Sequence, residues 1–220
     1  MDGGNESGRK EECRDVSELT TDRLSVYLRC LQRLEEEGVR TISSHALARR
    51  FHLNSAQIRK DLANFGELGI RGVGYEVATL KRHLVETLGL DRTRKIVIVG
   101  SGHLGMALAG YKGFQEPGFT IVAMFDRDPE VVGQKSRTGI QVLPADDLPR
   151  VLAEQKIDIG VIAVPPHAAQ QAYDLLADGG VRAILNFAPA QIRQREDVRL
   201  RNVDLRIRLE ALSFFLKGCE

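Results

Sequence analysis

Tryptophan is absent from this 220-residue chain, cysteine occurs only three times, and aromatic residues make up 5% of the sequence. The three cysteines, Cys13, Cys30 and Cys219, are far apart and form no C-x-x-C pair, so neither a disulfide framework nor a zinc site is expected. No apolar run approaches the roughly 18 to 20 residues of a membrane span. The polar N-terminus also lacks the apolar segment of a secretory signal. These absences predict a protein of the reducing cytoplasm, without membrane segment or metal.

The chain also lacks an overall excess of one charge. It has 31 basic and 30 acidic residues, and its net charge is +1. The balance excludes a polybasic protein but hides an uneven distribution. Between Arg40 and Arg82 the chain carries eight basic and three acidic residues, a difference of 8 − 3 = +5. A basic stretch is commonly only a solvated surface. It indicates an anionic partner where the fold gathers the basic side chains on one accessible surface.

The N-terminal part of the chain is predicted to form an arm and a small domain. Residues 1–19 are polar and without periodicity, which predicts a mobile arm. Residues 20–89 show a helix capped at Thr21 or Asp22, a short helix opening at Ser43 or Ser44, and a third opening at Asn54 or Ser55. A glycine-rich segment, GELGIRGVGYEV, then predicts a β-hairpin, followed by another helix from about Val77 to Leu88. This order is typical of a winged helix-turn-helix; the alternative is a helical bundle with an incidental hairpin.

The third helix is the predicted DNA-reading element. Its apolar residues Ile58, Leu62 and Phe65 recur at helical spacing and are expected to face inward. Polar and basic side chains remain on the other side, where a recognition helix meets base edges. Glutamine can pair with adenine, arginine or lysine with guanine, and an arginine between glycines can enter a minor groove. The predicted DNA-binding residues are Ser55, Gln57, Arg59, Lys60, Arg71 and Tyr75.

The second part, residues 90–205, has the pattern of a nucleotide-binding domain. The apolar run KIVIVG leads directly into Gly100, Gly102 and Gly105 on G-x-G-x-x-G spacing. A helix and a second strand follow, and the strand ends at Asp126, 126 − 105 = 21 residues past the last glycine. Glycines permit a tight turn, approach to a pyrophosphate and close helix packing, while the carboxylate binds an adenosine ribose. The alternative is a similar domain that binds nothing.

The remaining strands predict a doubly wound parallel sheet. Further apolar runs cover 159–166, 181–189 and 202–207, and helices of suitable length alternate with them. Asp126 would repel a ribose 2′-phosphate, which favours NAD(H) over NADP(H), although Arg127 acts in the opposite sense. The predicted cofactor-binding residues are Gly100, Ser101, Gly102, His103, Leu104, Gly105, Tyr111, Asp126, Arg127, Val164, Pro165 and Asn186.

Catalytic chemistry is not predicted. A dehydrogenase needs a proton donor or acceptor beside the nicotinamide, and His167 is the better candidate for that role than His103. However, a helix-turn-helix pattern occupies the part of the chain that a substrate domain would need. His167 is therefore interpreted as a helix-start or cofactor-lining residue, and a small NAD-dependent oxidoreductase that uses His167 is kept as the alternative. The apolar C-terminal helix at 206–220 must dock on its own chain or on a second copy.

These motifs together resemble the Rex family of redox-sensing transcriptional repressors. The matching segments are YLRCL, IRKDLANFG, GIRGVGYEV, VGSGHLGMAL, YKGF, FDRDP, VIAVPP, ILNFAP and NVDL, in family order from about Thr20 to Lys217. The resemblance implies a homodimer that binds a palindromic double-stranded operator. It also implies that NADH binding releases the DNA, so that the protein responds to the NADH/NAD⁺ ratio and is not an enzyme. A repressor that senses NADPH or another adenine nucleotide is a further alternative.

The same resemblance implies a switch and an exchanged helix. The family's switch residues match Arg29, Tyr111 and Asp204, and its exchanged C-terminal helix matches the segment from about Arg208 to Lys217. Some relatives carry an aromatic residue directly after the late aspartate, where this chain has Leu205. The resemblance therefore implies weaker or different packing against the nicotinamide at this position.

Overall fold

A computed structural model of the chain describes residues 17–66, 68–70, 72–114 and 118–217. The chain divides into two compact units, and the boundary lies between Asp91 and Arg92. The sequence placed this boundary between residues 89 and 90. Residues 1–16 of the predicted arm lie outside the described residues, whereas Glu18 and Leu19 already belong to the first helix.

The first helix, α1 (Glu18–Glu36), begins earlier than predicted. Its N-cap is Ser17, whose side chain accepts a hydrogen bond of 3.2 Å from the main-chain N–H of Thr20, so the predicted caps at Thr21 and Asp22 are wrong. The first turn is mostly polar, and the apolar periodicity that the sequence offers begins only at Leu24. The buried side of α1 therefore indicates where the helix packs but not where it begins.

Three shorter helices complete the core of the first unit. They are α2 (Ser44–Phe51), capped by Ser43, α3 (Ser55–Ala63), capped by Asn54, and α4 (Val77–Thr87). Their apolar faces enclose a core with α1 that includes Leu31, Leu47, Ile58, Leu62, Leu80 and Leu84. Cys30 of α1 belongs to this core, and burial raises the pKa of its thiol.

The predicted hairpin is smaller than expected, and its second strand has a different partner. Ile70 and Gly74 form one antiparallel bridge around a tight turn. Strand β2 (Tyr75–Glu76) pairs instead with β1 (Thr41–Ile42), which precedes α2. At Gly74, with φ of +105°, a side chain would lie 2.5 Å from the carbonyl oxygen of Ile42, so this close approach requires glycine.

The second unit is built on parallel strands. In the described residues, six strands form one sheet in the order β5-β4-β3-β6-β7-β8, and each neighbouring pair is parallel. The strands are β3 (Arg94–Val99), β4 (Phe119–Asp126), β5 (Val142–Pro144), β6 (Ile159–Ile162), β7 (Ala183–Asn186) and β8 (Arg199–Asn202). The chain moves outward on one side of β3 and then returns to its other side. Such a reversal creates a crevice at the carboxyl ends of the strands.

Helices connect these strands and shield the sheet. They are α5 (His103–Ala109), α6 (Leu148–Glu154) and α7 (Ala169–Asp178), with 3₁₀ turns at Lys112–Phe114, Ala145–Asp147 and Pro166–Ala168. Apolar residues from both faces of the sheet form two clusters, one around Phe125 and Tyr173 and one around Ile98 and Met124. The doubly wound arrangement predicted from strand-helix alternation is confirmed.

The end of the chain differs from the prediction. The last strand is Arg199–Asn202, so the predicted strand over 202–207 is wrong. A helix, α8 (Leu205–Leu216), starts there because Asp204 caps it, accepting hydrogen bonds from the N–H groups of Arg206 and Ile207. Every described side chain of α8 is exposed, and Phe214 is 75% exposed. Among the described residues, no helix combines the length and apolar character needed to cross a membrane.

Candidate nucleotide and DNA-binding sites

The glycine loop lies at the carboxyl end of the central strand β3. Gly100 donates its N–H to the carbonyl oxygen of Phe125 on β4, at 2.8 Å. On its other side a side chain would lie 2.6 Å from the carbonyl of Ala163, just beyond β6. Gly100 is therefore enclosed between the ends of two strands, with φ of +96°. The loop turns at the crevice where parallel sheets bind their ligands.

The other two glycines of the motif differ in what surrounds them. A side chain at Gly105 would collide with the carbonyl oxygen of Gly100, so α5 can approach the loop only with glycine there. At Gly102, by contrast, no described atom outside its own local backbone lies within 4 Å of the position that a Cβ would take. Open space beside an exposed main chain at the start of a helix fits the pyrophosphate of a dinucleotide.

The acidic residue of the motif is tied to the glycine loop. Oδ2 of Asp126 accepts the main-chain N–H of Ser101 at 2.6 Å, while Oδ1 accepts those of Arg127 and Asp128 at 2.7 and 3.0 Å. A carboxylate offers about four acceptor positions, and the described residues occupy three. One position on Oδ2 remains for a ribose hydroxyl group. Asp126 thus fits a ribose-binding role and also fixes the loop.

Two of the predicted cofactor-binding side chains are enclosed by the protein. Ser101 is 1% exposed, and its hydroxyl group donates to the carbonyl oxygen of Phe125. Asn186 is fully buried; its amide bonds to the main chain of Ala188 and donates to Oδ1 of Asn202. Both side chains support strand ends in this structure and do not face solvent.

The other predicted cofactor-binding side chains are accessible. His103, Leu104, Tyr111, Arg127 and Pro165 are exposed, and Val164 is half-buried. Tyr111 is 56% exposed and lies edge-on to Phe114, with 5.6 Å between the ring centroids. His167 is also exposed. Within the described residues, no group of three His, Cys, Asp or Glu side chains could hold a metal ion.

In the first unit, α3 presents its basic side chains outward. Arg59 and Lys60 are exposed, and Nη1 of Arg59 donates to the hydroxyl group of Ser44 at 3.1 Å. Ser55 is half-buried at the start of the helix, next to a concave surface lined by His45, Ala48, Arg49, Leu53 and Asn54. These cations on one accessible side suit an anionic partner such as the DNA backbone.

Tyr75 and Arg71 were the hairpin members of the predicted DNA-binding set. Tyr75 is half-buried, and burial raises the pKa of its hydroxyl group although Arg59 acts in the opposite direction. Arg71 lies outside the described residues. The described turn beside it exposes Ile70 and Val73, which are 69% and 55% exposed.

Gln57 is engaged by a buried group that the sequence analysis did not identify. Its Nε2 donates to Oδ1 of Asp61 at 2.7 Å, and Asp61 is only 2% exposed. Arg23 of α1 donates to both oxygens of Asp61 at 2.6 and 2.7 Å, and the hydroxyl group of Tyr27 donates at 2.9 Å. Spacing offered a signal, because Asp61 follows the buried Ile58 by three residues and so shares its face.

The electrostatics of this cluster favour the ionised carboxylate. Burial acts to raise the pKa of Asp61, but the hydrogen bonds from Arg23, Gln57 and Tyr27 outweigh it, and the pKa is lowered from its ordinary value. The pKa of Tyr27 is raised, first by burial and then by its hydrogen bond to Asp61. Asp61 is therefore an anion with a neutral tyrosine beside it at neutral pH.

Two family models match the chain, one to each unit. A model described as "Putative DNA-binding protein N-terminus" matches residues 15–63, and one described as "CoA binding domain" matches residues 91–190. Coenzyme A and NAD both carry adenosine joined to a pyrophosphate. The matches thus agree with an N-terminal DNA-binding unit and a C-terminal Rossmann-like unit.

Individual relatives are similar over nearly the whole chain. A redox-sensing transcriptional repressor named Rex from Syntrophomonas wolfei is 49% identical over 201 residues, which cover 91% of this chain and 95% of the relative. The structure of RSP, a Rex-family repressor, in complex with β-NAD⁺ and operator DNA is 38% identical. It has a TM-score of 0.87 and covers 92% of this chain and 93% of RSP. The RSP complex with β-NADH has a TM-score of 0.82 at 37% identity and covers 93% and 95%.

Proposed function

Because the chain belongs to the Rex family of redox-sensing transcriptional repressors, we propose that it binds operator DNA through its first unit and releases it when NADH occupies its second. NAD(H) is then a sensed ligand, and the chain is a regulator and not an enzyme. The proposal is carried by one observation: a single chain combines an open glycine loop at Gly102 with a helix that exposes Arg59 and Lys60.

The nucleotide part of the proposal rests on the crevice at β3. The loop with open space at Gly102 suits a pyrophosphate, and the remaining acceptor of Asp126 suits an adenosine ribose. A negative charge at Asp126 disfavours a 2′-phosphate, so NADH and NAD⁺ are the expected ligands. His103, Leu104, Arg127, Val164 and Pro165 line the accessible surface around this loop in the proposal. Ser101 supports the loop from within, and Asn186 supports the end of β7.

A sensor must also distinguish NADH from NAD⁺, which differ by a hydride and the charge of the nicotinamide ring. The glycine loop and Asp126 bind parts that both forms share, so the discriminating groups lie elsewhere. The exposed ring of Tyr111 and the carboxylate of Asp204 are the proposed reporters in the second unit. Arg29, exposed on α1, is the proposed member of the switch in the first.

Assembly as a homodimer is part of the proposal. Helix α8 exposes apolar side chains along its whole length, including Ile207, Leu209, Leu212, Phe214 and Leu216, each at least 58% exposed. Such a helix is stabilised when a second surface covers it. We propose that a second copy of this chain covers it, with exchange of α8 between subunits, in the cytoplasm where operator DNA is accessible.

The test is operator binding measured against the redox state of the nucleotide. Labelled duplexes from upstream regions of respiratory and fermentative genes of the parent genome are titrated with protein, with NAD⁺ or NADH at saturation. We expect tight, sequence-selective binding with NAD⁺ and a marked loss with NADH. Binding that ignores both nucleotides, or turnover of NADH with a small substrate, would contradict the proposal.

A further inference from the structure

Helix α3, the proposed DNA-reading helix, carries a carboxylate in the protein interior. The Asp61 side chain is 2% exposed and accepts four hydrogen bonds, two on each oxygen. Four is about the full acceptor capacity of a carboxylate. The carboxylate therefore has no acceptor position left for a ligand. Its function must lie in the side chains that it binds.

Three of the four bonds join α1 to α3, and the fourth, from Gln57, lies within α3. Arg23 and Tyr27 are four residues apart on α1, and Gln57 and Asp61 are four residues apart on α3. Residues at this spacing share one helix face, so one carboxylate joins a face of α1 to a face of α3. Rotation of α3 about its axis would break several charge-assisted bonds at once.

The bond to Gln57 also determines how its amide group is oriented. An ionised carboxylate can only accept, so Gln57 must turn its NH₂ group, and not its carbonyl oxygen, toward Asp61. That bond uses one N–H and leaves the carbonyl oxygen and the second N–H on the amide. An acceptor beside a donor is the pattern with which glutamine pairs with adenine in the major groove.

We propose that Asp61 is a positioning residue for base readout, which holds the Gln57 amide in the orientation that offers its carbonyl oxygen and second N–H to an adenine. The inference rests on the proposed function, because it assumes that α3 enters a groove of operator DNA. Asp61 touches no base itself. It acts through Gln57, while Arg59 and Lys60 lie exposed on the same helix.

A purely structural role for Asp61 gives a different expectation. If the carboxylate only joins α1 to α3, its loss weakens binding to every DNA sequence by the same factor. If it orients Gln57, its loss reduces discrimination at the base pair that Gln57 reads. Base-pair discrimination therefore separates the two roles, and affinity for one operator does not.

The experiment compares the full-length parent with Asp61→Asn, Gln57→Ala, the double variant and Tyr27→Phe. The probes are a duplex selected from random DNA by the parent and a set of duplexes changed at one base pair each. Asparagine offers one acceptor oxygen in place of two, so it cannot hold Arg23 and Tyr27 and also fix the Gln57 amide. Tyr27→Phe is the matched control, because it removes a bond to the same carboxylate without altering the bond to Gln57.

We expect Gln57→Ala to lower discrimination at one A·T pair roughly 5- to 150-fold. Asp61→Asn should lower it at the same pair by a similar factor, the double variant no further, and Tyr27→Phe should keep the parent's discrimination. Uniform weakening on all duplexes by Asp61→Asn, or additive losses in the double variant, would overturn the positioning role. A parent that selects no sequence at all would instead overturn the proposed function.

Folding is checked for each variant by thermal unfolding and by NADH binding, which depends on the other unit. If Asp61→Asn alone unfolds at the assay temperature, Arg23→Gln/Asp61→Asn replaces the ion pair by two neutral amides and is measured in the same way. Loss of discrimination at the Gln57 base pair in that variant supports the inference. Parent-like discrimination in it contradicts the inference.

Discussion

The carboxylate of Asp126 accepts the main-chain N–H of Ser101 at 2.6 Å, so the end of β4 is joined directly to the glycine loop after β3. The residue that we propose to select the ribose thus also holds the loop that we propose to bind the pyrophosphate. Substitutions at Asp126 have to separate these two effects. Asparagine keeps an acceptor for the loop and removes the charge, whereas alanine removes both.

We predict that Asp126→Asn weakens NADH binding roughly 10- to 150-fold, because charge-assisted hydrogen bonds to the ribose are worth about 1.5–3 kcal/mol. The preference for NADH over NADPH should shrink in the same variant, since repulsion of the 2′-phosphate is lost. Titration calorimetry with both nucleotides measures this. Equal affinity of the parent for NADH and NADPH would contradict the assignment.

Substitution of the second and third glycines of the motif, Gly102 and Gly105, should have opposite effects on stability and on NADH binding. We expect Gly102→Ala to change the free energy of unfolding by no more than about 1 kcal/mol, because the added methyl group meets no described atom beyond its own local backbone. Its NADH affinity should fall strongly, and Gly102→Val should be worse. Gly105→Ala should destabilise the second unit, since its methyl group collides with the carbonyl oxygen of Gly100. Thermal unfolding with and without NADH distinguishes the two; a destabilised Gly102→Ala would be unexpected.

The exposed bases of α3 are predicted to supply direct DNA contacts. Arg59→Ala or Lys60→Ala should weaken operator binding by about 1–3 kcal/mol, roughly 5- to 150-fold, with NADH affinity unchanged. Binding by the parent should also fall steeply with salt, as counterion release requires. Lys156→Ala, an exposed lysine of the other unit, serves as the control for a lost surface charge. Parent-like operator affinity in both α3 variants would show that α3 is not the recognition helix.

The proposed switch can be separated from helix capping at Asp204. Asp204→Ala removes both the charge and the cap of α8, whereas Asp204→Ser keeps a capping hydroxyl group. If the charge reports the redox form, both variants should shrink the NADH-induced loss of operator affinity, and Tyr111→Phe should do likewise. The measured quantity is the ratio of operator affinities at saturating NAD⁺ and NADH. An effect of Asp204→Ala that Asp204→Ser fully restores would assign the residue to capping alone.

The lowered pKa of Asp61 predicts a specific dependence of stability on acid. Its folded-state pKa lies below the unfolded value of about 3.9, so the stabilisation is complete above that pH and is lost as the pH falls through the folded pKa. The thermal midpoint of the first unit should therefore drop more steeply below about pH 4 in the parent than in Asp61→Asn. Parallel profiles for the two proteins would show that Asp61 does not titrate differently on folding.

Much of the fold followed from apolar periodicity. The runs at β3, β4 and β6 are mostly apolar and are most deeply buried toward their carboxyl ends, and they are recognisable in the sequence as apolar segments. Strand β8 was misplaced because Arg199 and Arg201 interrupt its pattern, as is common in an edge strand. The start of α1 was missed for a similar reason: its first turn carries polar residues whose only signal is the cap at Ser17.

The local geometry of the candidate sites was predictable where a position admits only one residue type. Gly105 is required by a close approach within the loop, and Asp126 stands at the end of the next strand, so the spacing of the motif predicts both positions. The Asp61 cluster depends on contacts between residues 34 to 38 positions apart, which helical spacing within one element cannot specify. Asn186 illustrates the same limit, because its burial depends on Asn202 of a neighbouring strand.

The burial of Cys30 bears on how a sensor of this kind is reset. Its thiol lies in the core of the first unit, and burial raises its pKa, so little of the reactive thiolate is present at neutral pH. Peroxide oxidises exposed thiolates first, and Cys30 is shielded from that damage. A response that depends on NADH binding is reversed when NADH dissociates. It needs no reductase to restore this thiol. The speed of recovery would then be set by the rate at which NADH leaves its crevice.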